Sequence, residues 1–322
     1  MPQNSIETQF SVSYKSEKES TSRAPVRSQV CRNAGSNQQS ASVSEEPLTA
    51  LTDEQEAHFR QHGWVKVEDF WSENELRALR AALETLQQNG KLTNVATEGD
   101  GKTHTKIAHN LQLCPLAPEH PLFRSLPFHP KVASAIHQLL CRSDPEQSAC
   151  CYLSQVFWKP ARHGLGTAWH QDNAYFQVED ATQGTAMWTA IHDANIKNGT
   201  MQVVDTLPEI LPHERELTSD HHITCKACID EQKAVPVELK AGGVIFFDYN
   251  VPHCTTANTT ENPRAGVAYH FLNQAHFRDR VFPLPDDADW KTPVVVGPLC
   301  TNGRAEYGQK VDFWEGITGA EI

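Results

Sequence analysis

Two stretches of the sequence hold residue types that bind transition metals. The first, Trp169-His170-Gln171-Asp172-Asn173, carries a His-x-Asp pair, and the second is Val251-Pro252-His253-Cys254-Thr255. On a β-strand, residues i and i+2 point to the same face, so we expect His170 and Asp172 to aim at one point. His253 is the best candidate for a third ligand. Two histidines and one carboxylate with the remaining positions open form the facial triad of non-haem Fe(II) oxygenases.

This ligand set has a physical rationale. Two neutral imidazoles and one carboxylate leave Fe(II) with a net charge of about +1, and adjacent coordination positions stay open for a bidentate oxo acid and O₂. Any one of these histidines, taken alone, would be read as an ordinary core or surface residue. The three residues together favour the metal site.

Arg264 begins an alternating apolar stretch eleven residues after His253. A buried arginine is costly unless it meets an anion, and its planar fork suits a carboxylate. We expect Arg264 to bind the far carboxylate of a dicarboxylic cosubstrate, with the Thr255 hydroxyl beside it. The alternative is a surface ion pair, for example with Glu261.

Composition narrows the functional classes. The chain has 322 residues and a net charge of −12, which argues against nucleic acid or an anionic membrane as the main partner. Nine scattered cysteines are typical of a reducing compartment, and no apolar run approaches the length of a membrane span. We therefore expect a cytoplasmic protein with a small-molecule substrate.

Residues 1–48 differ in composition from the rest. They are rich in serine, glutamine and asparagine, which predicts a disordered polar tail. An organelle transit segment is the alternative, because 21–44 contains arginines and no acid, although acids upstream count against it. Residues 49–322 are predicted to form a single domain.

The first part of that domain is predicted to be helical. Thr52-Asp53-Glu54-Gln55 and Ser72-Glu73-Asn74-Glu75 are capping boxes, each opening a helix. A strand is expected over 64–70 between them, and a third helix over 130–140. These elements are expected to pack outside the strands that follow.

From about 148 to 275 the pattern changes to short strands separated by turn residues. They are predicted at 149–158, 167–176, 185–194, 201–205, 234–239, 243–248 and 265–273. The fold class is therefore α+β, mainly β, with a double-stranded β-helix (jelly-roll) core flanked by N-terminal helices. Residues 276–322 are expected to wrap the core.

The combined pattern resembles the phytanoyl-CoA dioxygenase family. It consists of Trp169-His170-Gln171-Asp172, Asn198-Gly199, Pro252-His253-x-Thr255-x-x-Asn258 and Arg264, within about 51–275. The resemblance implies a jelly-roll Fe(II)/2-oxoglutarate oxygenase that consumes O₂. It implies that His170, Asp172 and His253 bind iron and that Arg264 and Thr255 hold the 2-oxoglutarate C5 carboxylate. Gln155 and Trp188 lie where family members place residues that contact this cosubstrate.

The sequence departs from the family pattern at two places. Val204-Asp205-Thr206-Leu207-Pro208 replaces a common Pro-Gly-Ser-His turn, and Cys254 replaces a common glycine. Neither removes a ligand. Asp172 is retained, whereas halogenating relatives carry a small residue there, so the resemblance implies hydroxylation of an unactivated C–H with release of succinate and CO₂.

Other signals leave alternatives open. Asn173, Tyr175 and Phe176 are candidate substrate contacts, although the two aromatics are more typical of core residues. His221-His222-x-x-Cys225-x-x-Cys228 raises a zinc hypothesis, weighed against a loop with two free thiols. The competing functions are a non-catalytic jelly-roll binding protein and a cupin-like metalloenzyme without 2-oxoglutarate. A cupin has no need of a carboxylate clamp at Arg264.

Overall fold

The computed structural model describes residues 49–98, 100, 102–215, 223–276 and 291–311. The predicted tail and most of the predicted C-terminal wrap lie outside these ranges. The helices are α1 (Asp53–His62), α2 (Glu73–Gln88), α3 (Pro121–Ser125), α4 (Pro130–Ile136), α5 (Asn173–Phe176) and α6 (Arg304–Tyr307). The strands are β1 (Trp64–Val67), β2 (Thr93–Asn94), β3 (Leu111–Leu113), β4 (Ala149–Lys159), β5 (Thr167–His170), β6 (Gly184–Ala190), β7 (Met201–Val203), β8 (Glu214–Arg215), β9 (Ile223–Thr224), β10 (Val235–Val237), β11 (Val244–Asp248), β12 (His253–Thr255), β13 (Arg264–Asn273) and β14 (Val294–Val296).

Two antiparallel sheets form the body of the described chain. The larger has the order β1-β11-β6-β13-β4-β3-β2, with β14 paired to β4, and the smaller has the order β10-β7-β12-β5. One apolar cluster joins them, with Trp188 and Ile245 from the larger sheet and Met201 and Val203 from the smaller. The predicted jelly-roll core is confirmed.

The two N-terminal helices begin where the capping boxes predict. The Thr52 and Ser72 hydroxyls each accept a hydrogen bond from the backbone N–H three residues later, and the Gln55 and Glu75 side chains accept hydrogen bonds from the backbone N–H of their cap residues. Gly63 ends α1 in the left-handed conformation at φ 81°. Both helices pack on the outer face of the larger sheet, where their buried residues form one apolar cluster with those of α3 and α4.

Strand β13 separates that outer cluster from the interior between the sheets. Val267, Tyr269 and their alternating neighbours face the helices. The opposite face carries Arg264, Gly266, Ala268 and His270, because side chains alternate along a strand. All ten residues of β13 are buried, and the strand pairs with β4 on one side and with β6 on the other.

Four predicted elements end at least three residues earlier in the structure than expected, and one of them is the strand expected over 185–194, which ends at Ala190. The strand expected over 64–70 ends at Val67, and the helix expected over 130–140 leaves α-helical geometry after Ile136 and continues as a π-helical turn. The strand expected over 167–176 ends at His170. Asp172 has helical backbone angles (φ −58°, ψ −33°) and precedes the short helix α5.

No helix in the described ranges combines the length and the apolar character needed to cross a lipid bilayer.

Candidate active site

The two candidate histidine ligands lie side by side on neighbouring strands. β12 pairs antiparallel with β5 so that His253 is directly opposite His170, and their ring centroids are 4.2 Å apart. Asp172 reaches the same point from the turn after β5. Asp172 therefore lies in the turn after the strand and not on a strand face with His170, and the predicted convergence of the two side chains is reached across that turn.

The three side chains form a compact ligand group. His170 Nε2 lies 3.8 Å and His253 Nε2 lies 3.7 Å from the same Asp172 oxygen, Oδ1. One donor atom from each residue lies within 4.8 Å of the others, and all three residues are buried. No other group of three or more His, Cys, Asp or Glu residues in the described ranges meets this geometry.

Backbone carbonyls set the tautomer of both histidines. Each Nδ1 lies near a carbonyl oxygen two residues earlier, at 2.8 Å for His170 with Ala168 and 3.0 Å for His253 with Val251. A carbonyl can only accept, so each Nδ1 carries the proton and each Nε2 presents its lone pair towards Asp172. Burial lowers the pKa of His170 to about 3 and that of His253 to about 4, so both rings are neutral at neutral pH.

This arrangement fits a divalent cation. Asp172 Oδ2 is buried with no hydrogen-bond partner in the described part of the chain. The three rings near the carboxylate are neutral, because burial lowers the pKa of His170 to about 3 and the pKa values of His253 and His270 to about 4. A buried carboxylate without compensation is costly, and a cation between Oδ1 and the two Nε2 atoms supplies that compensation. Two imidazoles and one carboxylate are the donor set that suits Fe(II).

Arg264 is a buried cation at the start of β13, on the face of the larger sheet that is turned towards the interior between the sheets. It is 1% exposed, and its Nη2 donates to the carbonyl of Gly199 while its Nε has no partner. Burial alone lowers the pKa of Arg264, to about 9, and no Asp or Glu of the described residues forms an ion pair with it. The alternative of a surface ion pair with Glu261 is wrong, because Glu261 pairs with Arg162 on the exterior.

Comparisons with known proteins agree with this site. The model of the family described as Phytanoyl-CoA dioxygenase (PhyH) matches residues 59–266, well over half of the chain. The chain belongs to the phytanoyl-CoA dioxygenase family. Members are non-haem iron dioxygenases that use 2-oxoglutarate and O₂, so the predictions of the family and of its cofactors are confirmed.

Individual members of the phytanoyl-CoA dioxygenase family share about a quarter of their residues with this chain over the matched regions. A phytanoyl-CoA dioxygenase domain-containing protein 1 homolog from Caenorhabditis briggsae is 24% identical over 188 residues, 54% of this chain and 60% of the relative. Ectoine dioxygenase from Bordetella bronchiseptica is 25% identical over 244 residues, 68% of this chain and 74% of the relative. The matched region therefore spans less than two thirds of the first of these relatives.

The fold agrees with a solved structure of the same kind. The crystal structure of EctD from S. alaskensis with 2-oxoglutarate and 5-hydroxyectoine superimposes with a TM-score of 0.55. The two chains are 19% identical, and the match covers 78% of this chain and 85% of the other. At this identity the likeness supports the jelly roll and leaves the substrate to be argued from the site itself.

The other predicted cosubstrate residues lie on both sheets, Thr255 on the smaller one and Gln155 and Trp188 on the larger one. Thr255 is two residues after His253 on β12, and its hydroxyl accepts a hydrogen bond from Thr167 N at 3.1 Å. Trp188 and Gln155 flank Ala268 in register on β6 and β4, which places all three on one face. The Trp188 ring centroid lies 5.5 Å from Arg264 Cζ, within cation–π range.

Gly266 makes room for that tryptophan. A Cβ atom at position 266 would lie 2.2 Å from Trp188 Cζ2, far inside van der Waals contact. The glycine therefore lets the indole lie flat against β13, beside the Arg264 guanidinium.

The candidate substrate residues have different surroundings. Asn173 is buried, and its amide is hydrogen-bonded to the backbone of Val178 and to Asn250, so it holds the turn after Asp172. Phe176 packs among Tyr152, Tyr249 and His270 as a core aromatic. Tyr175 is partly exposed and lies edge-on to His170 with centroids 6.0 Å apart, which places it beside the ligand group.

The zinc hypothesis gains no support from the two cysteines. Cys225 is buried with its thiol donating to the carbonyl of Trp169, and Cys228 is exposed. His221 and His222 lie outside the described residues.

Sequence reasoning missed two residues of this site. Gln171, 0% exposed, donates from Nε2 to the carbonyls of Glu209 and Asn250 and accepts at Oε1 from Leu211 N. It thus fixes the turn between the two ligands. His270 faces Asp172 from β13. Gln171 could have been found because a polar residue between two ligands needs partners of its own, whereas His270 gave no local signal.

Proposed function

We propose that this protein is an Fe(II)- and 2-oxoglutarate-dependent dioxygenase that hydroxylates an unactivated C–H of a small organic substrate, with release of succinate and CO₂. The observation that supports this most directly is a buried His-Asp-His group enclosed in the same jelly roll as a buried arginine that has no acidic partner among the described residues. A cation site alone would fit many metalloproteins. The added unpaired guanidinium fits a cosubstrate that carries two acidic groups.

Each residue has a distinct task in this proposal. His170 and His253 offer Nε2 lone pairs that are already in the required tautomer, and Asp172 offers the compensating charge. Bound ferrous iron would supply the chemistry with O₂ that amino-acid side chains lack. Because the rings and the carboxylate are buried, the site excludes bulk water, which strengthens every electrostatic contact within it.

We assign Arg264 to the far carboxylate of 2-oxoglutarate. Its Nε is unpartnered, and the Trp188 ring lies beside the guanidinium, so the fork is held in place before the ligand arrives. We assign to the Thr255 hydroxyl a supporting contact with the same carboxylate. Gln155, which lies opposite Ala268 on β13, is assigned a place on the same face of the larger sheet as Arg264. This clamp favours the dioxygenase over a cupin-like enzyme without an oxo acid.

The substrate class follows from charge and from the retained carboxylate. The chain carries a net charge of −12, and its sequence has no run of Lys and Arg residues that would suit the phosphates of coenzyme A, so a small metabolite is favoured. Asp172 fills the position that must be open for halide binding, which favours hydroxylation. Tyr175, beside His170, is the candidate substrate contact that we retain.

Fe(II)-dependent formation of succinate from 2-oxoglutarate tests the proposal. The purified protein should release succinate, and a substrate screen should couple that release to the gain of one oxygen atom by mass spectrometry. Asp172→Ala should abolish both signals, because the His-Asp-His group loses its carboxylate. Asp53→Ala, which alters a side chain that is 90% exposed, is the matched control and should leave them unchanged. Absence of succinate together with absence of 2-oxoglutarate binding would favour a binding protein.

A further inference from the structure

His270 is a buried histidine whose contacts are not explained by packing alone. It is 3% exposed, and neither ring nitrogen has a hydrogen-bond partner among the described residues. Buried imidazole nitrogens nearly always have one, because an unmade hydrogen bond in the interior is costly. His270 is also absent from the group of three residues that could hold a cation.

The nearest charged group to His270 is the candidate ligand carboxylate. His270 Nδ1 lies 3.6 Å from Asp172 Oδ2, and that oxygen is itself buried without a partner. The other carboxylate oxygen, Oδ1, faces the Nε2 atoms of His170 and His253. The carboxylate therefore has one oxygen turned towards the cation position and the other turned towards His270.

The surroundings of His270 hold its ring in this place. Its centroid lies 5.1 Å from that of Phe176 in an edge-to-face arrangement, and Tyr152 and Tyr249 pack farther out. The pairing of β13 with β4 is irregular at this point, since His270 is opposite Leu153 and the next residue, Phe271, is opposite Cys151. Such bulges commonly re-aim a side chain next to an active site.

We propose that His270 is a positioning residue for Asp172. With a cation at the His-Asp-His group, the His270 Nδ1–H would donate to Asp172 Oδ2, and Oδ1 would be the carboxylate oxygen that holds the cation. The separation of 3.6 Å exceeds a normal hydrogen bond by roughly 0.5 Å, a gap that a small rotation of either side chain closes. Metal-ligating carboxylates commonly depend on such an outer partner.

This inference rests on the proposed function, because it requires a cation at the His-Asp-His group. Co(II), which is stable in air, is the probe, and its affinity is measured by calorimetric titration of the full-length protein. We expect His270→Leu to weaken Co(II) binding by about ten-fold or more, the usual effect of losing an outer partner. His270→Asn, close to leucine in size, places an amide N–H near the lost Nδ1–H and should recover most of the affinity.

The absorption spectrum of bound Co(II) gives a second readout. Without this hydrogen bond, Asp172 Oδ2 would be free to bind Co(II) together with Oδ1. The d–d bands should therefore change in His270→Leu and remain like those of wild type in His270→Asn. His270→Phe keeps an aromatic ring against Phe176 and should behave like His270→Leu. It replaces the leucine variant if that protein does not fold. His129→Phe, a buried histidine held by Glu75 in the helical layer, is the control and should leave Co(II) affinity unchanged.

The outcomes separate the two claims. If the leucine and asparagine variants bind Co(II) equally well and with the same spectrum, the positioning role is refuted while the cation site stands. If wild-type protein does not bind Co(II), the proposed function fails first, and this inference fails with it.

Discussion

Replacement of Gly266 by alanine should damage the cosubstrate clamp without touching a metal ligand. The added methyl would lie 2.2 Å from Trp188 Cζ2 and 2.3 Å from Cε2. Since carbon atoms pack at about 3.5–4.0 Å, the indole must retreat by roughly 1.3 Å or more. Trp188 is 4% exposed, so this movement has to be absorbed by a packed core.

Two magnitudes follow from that displacement. Overpacking of this kind typically lowers the free energy of unfolding by about 1–3 kcal/mol, which urea titration measures. The indole also leaves its place beside Arg264. A cation–π contact contributes about 0.5–2 kcal/mol, so the Kd for 2-oxoglutarate should rise by roughly 2- to 30-fold. Calorimetry with Co(II)-loaded protein measures this Kd, while the affinity for Co(II) itself should stay at the wild-type value.

Matched variants make the reasoning testable. Gly90→Ala adds a methyl where no atom lies within 4 Å, at φ +68°, so it should cost backbone strain only and leave 2-oxoglutarate binding intact. Trp188→Phe in the Gly266→Ala background removes the overlapping ring atoms, so the double variant should lose less stability than the sum of the single changes. An alanine variant with unchanged stability and unchanged 2-oxoglutarate affinity would refute the role given to Gly266.

Two further predictions concern charged groups in the interior. Arg264→Ala should raise the Kd for 2-oxoglutarate by more than about ten-fold, since charge-assisted hydrogen bonds contribute about 1.5–3 kcal/mol each. Arg264→Lys should recover only part of the affinity, because lysine lacks the planar guanidinium. If calorimetry finds the same affinity in the alanine variant as in wild type, the assignment of Arg264 is wrong. Burial raises the pKa of Asp248 from 3.8 to about 6. The Asp248 carboxyl therefore contributes fully to the free energy of unfolding below about pH 4, and this contribution is lost as the pH rises through about 6, a loss of about 3 kcal/mol. Asp248→Asn should remove that loss. In urea unfolding, the free energy of unfolding of the variant relative to wild type should therefore increase between about pH 4 and about pH 8. The same difference between variant and wild type at both pH values would contradict the prediction.

The parts of the fold that local chemistry determines could be read from the sequence. The helix starts at Thr52 and Ser72 were predictable because a capping box is a contact between residues three apart. The burial of Arg264 followed from an arginine at the head of an apolar strand. The convergence of His253 with His170 needed only the assumption of a jelly roll.

The parts that depend on distant contacts were not predictable. The strand expected beyond His170 ends because Gln171 is bonded to segments about 40 and 80 residues away along the chain, and no periodicity within 167–176 records those partners. His270 gave no signal for a similar reason, since its closeness to Asp172 arises from the pairing of β13 across the sheet. Substrate contacts depend on the same long-range geometry, which is why Asn173 was a plausible candidate and is now assigned to holding the turn.

The hydrogen bonds of Gln171 also limit how the chain segments around it can be redesigned. Its amide contacts the chain at Glu209, Leu211 and Asn250, and at all three it meets backbone atoms only. The side chains of Glu209 and Leu211 can therefore be exchanged without loss of these bonds, whereas the Asn250 side chain also accepts a hydrogen bond from Asn173 and should be kept. An insertion or deletion in these segments would shift the backbone and move Asp172 with it. Libraries that vary the residues at fixed loop length should retain the metal site, and grafts of loops of other lengths should lose it.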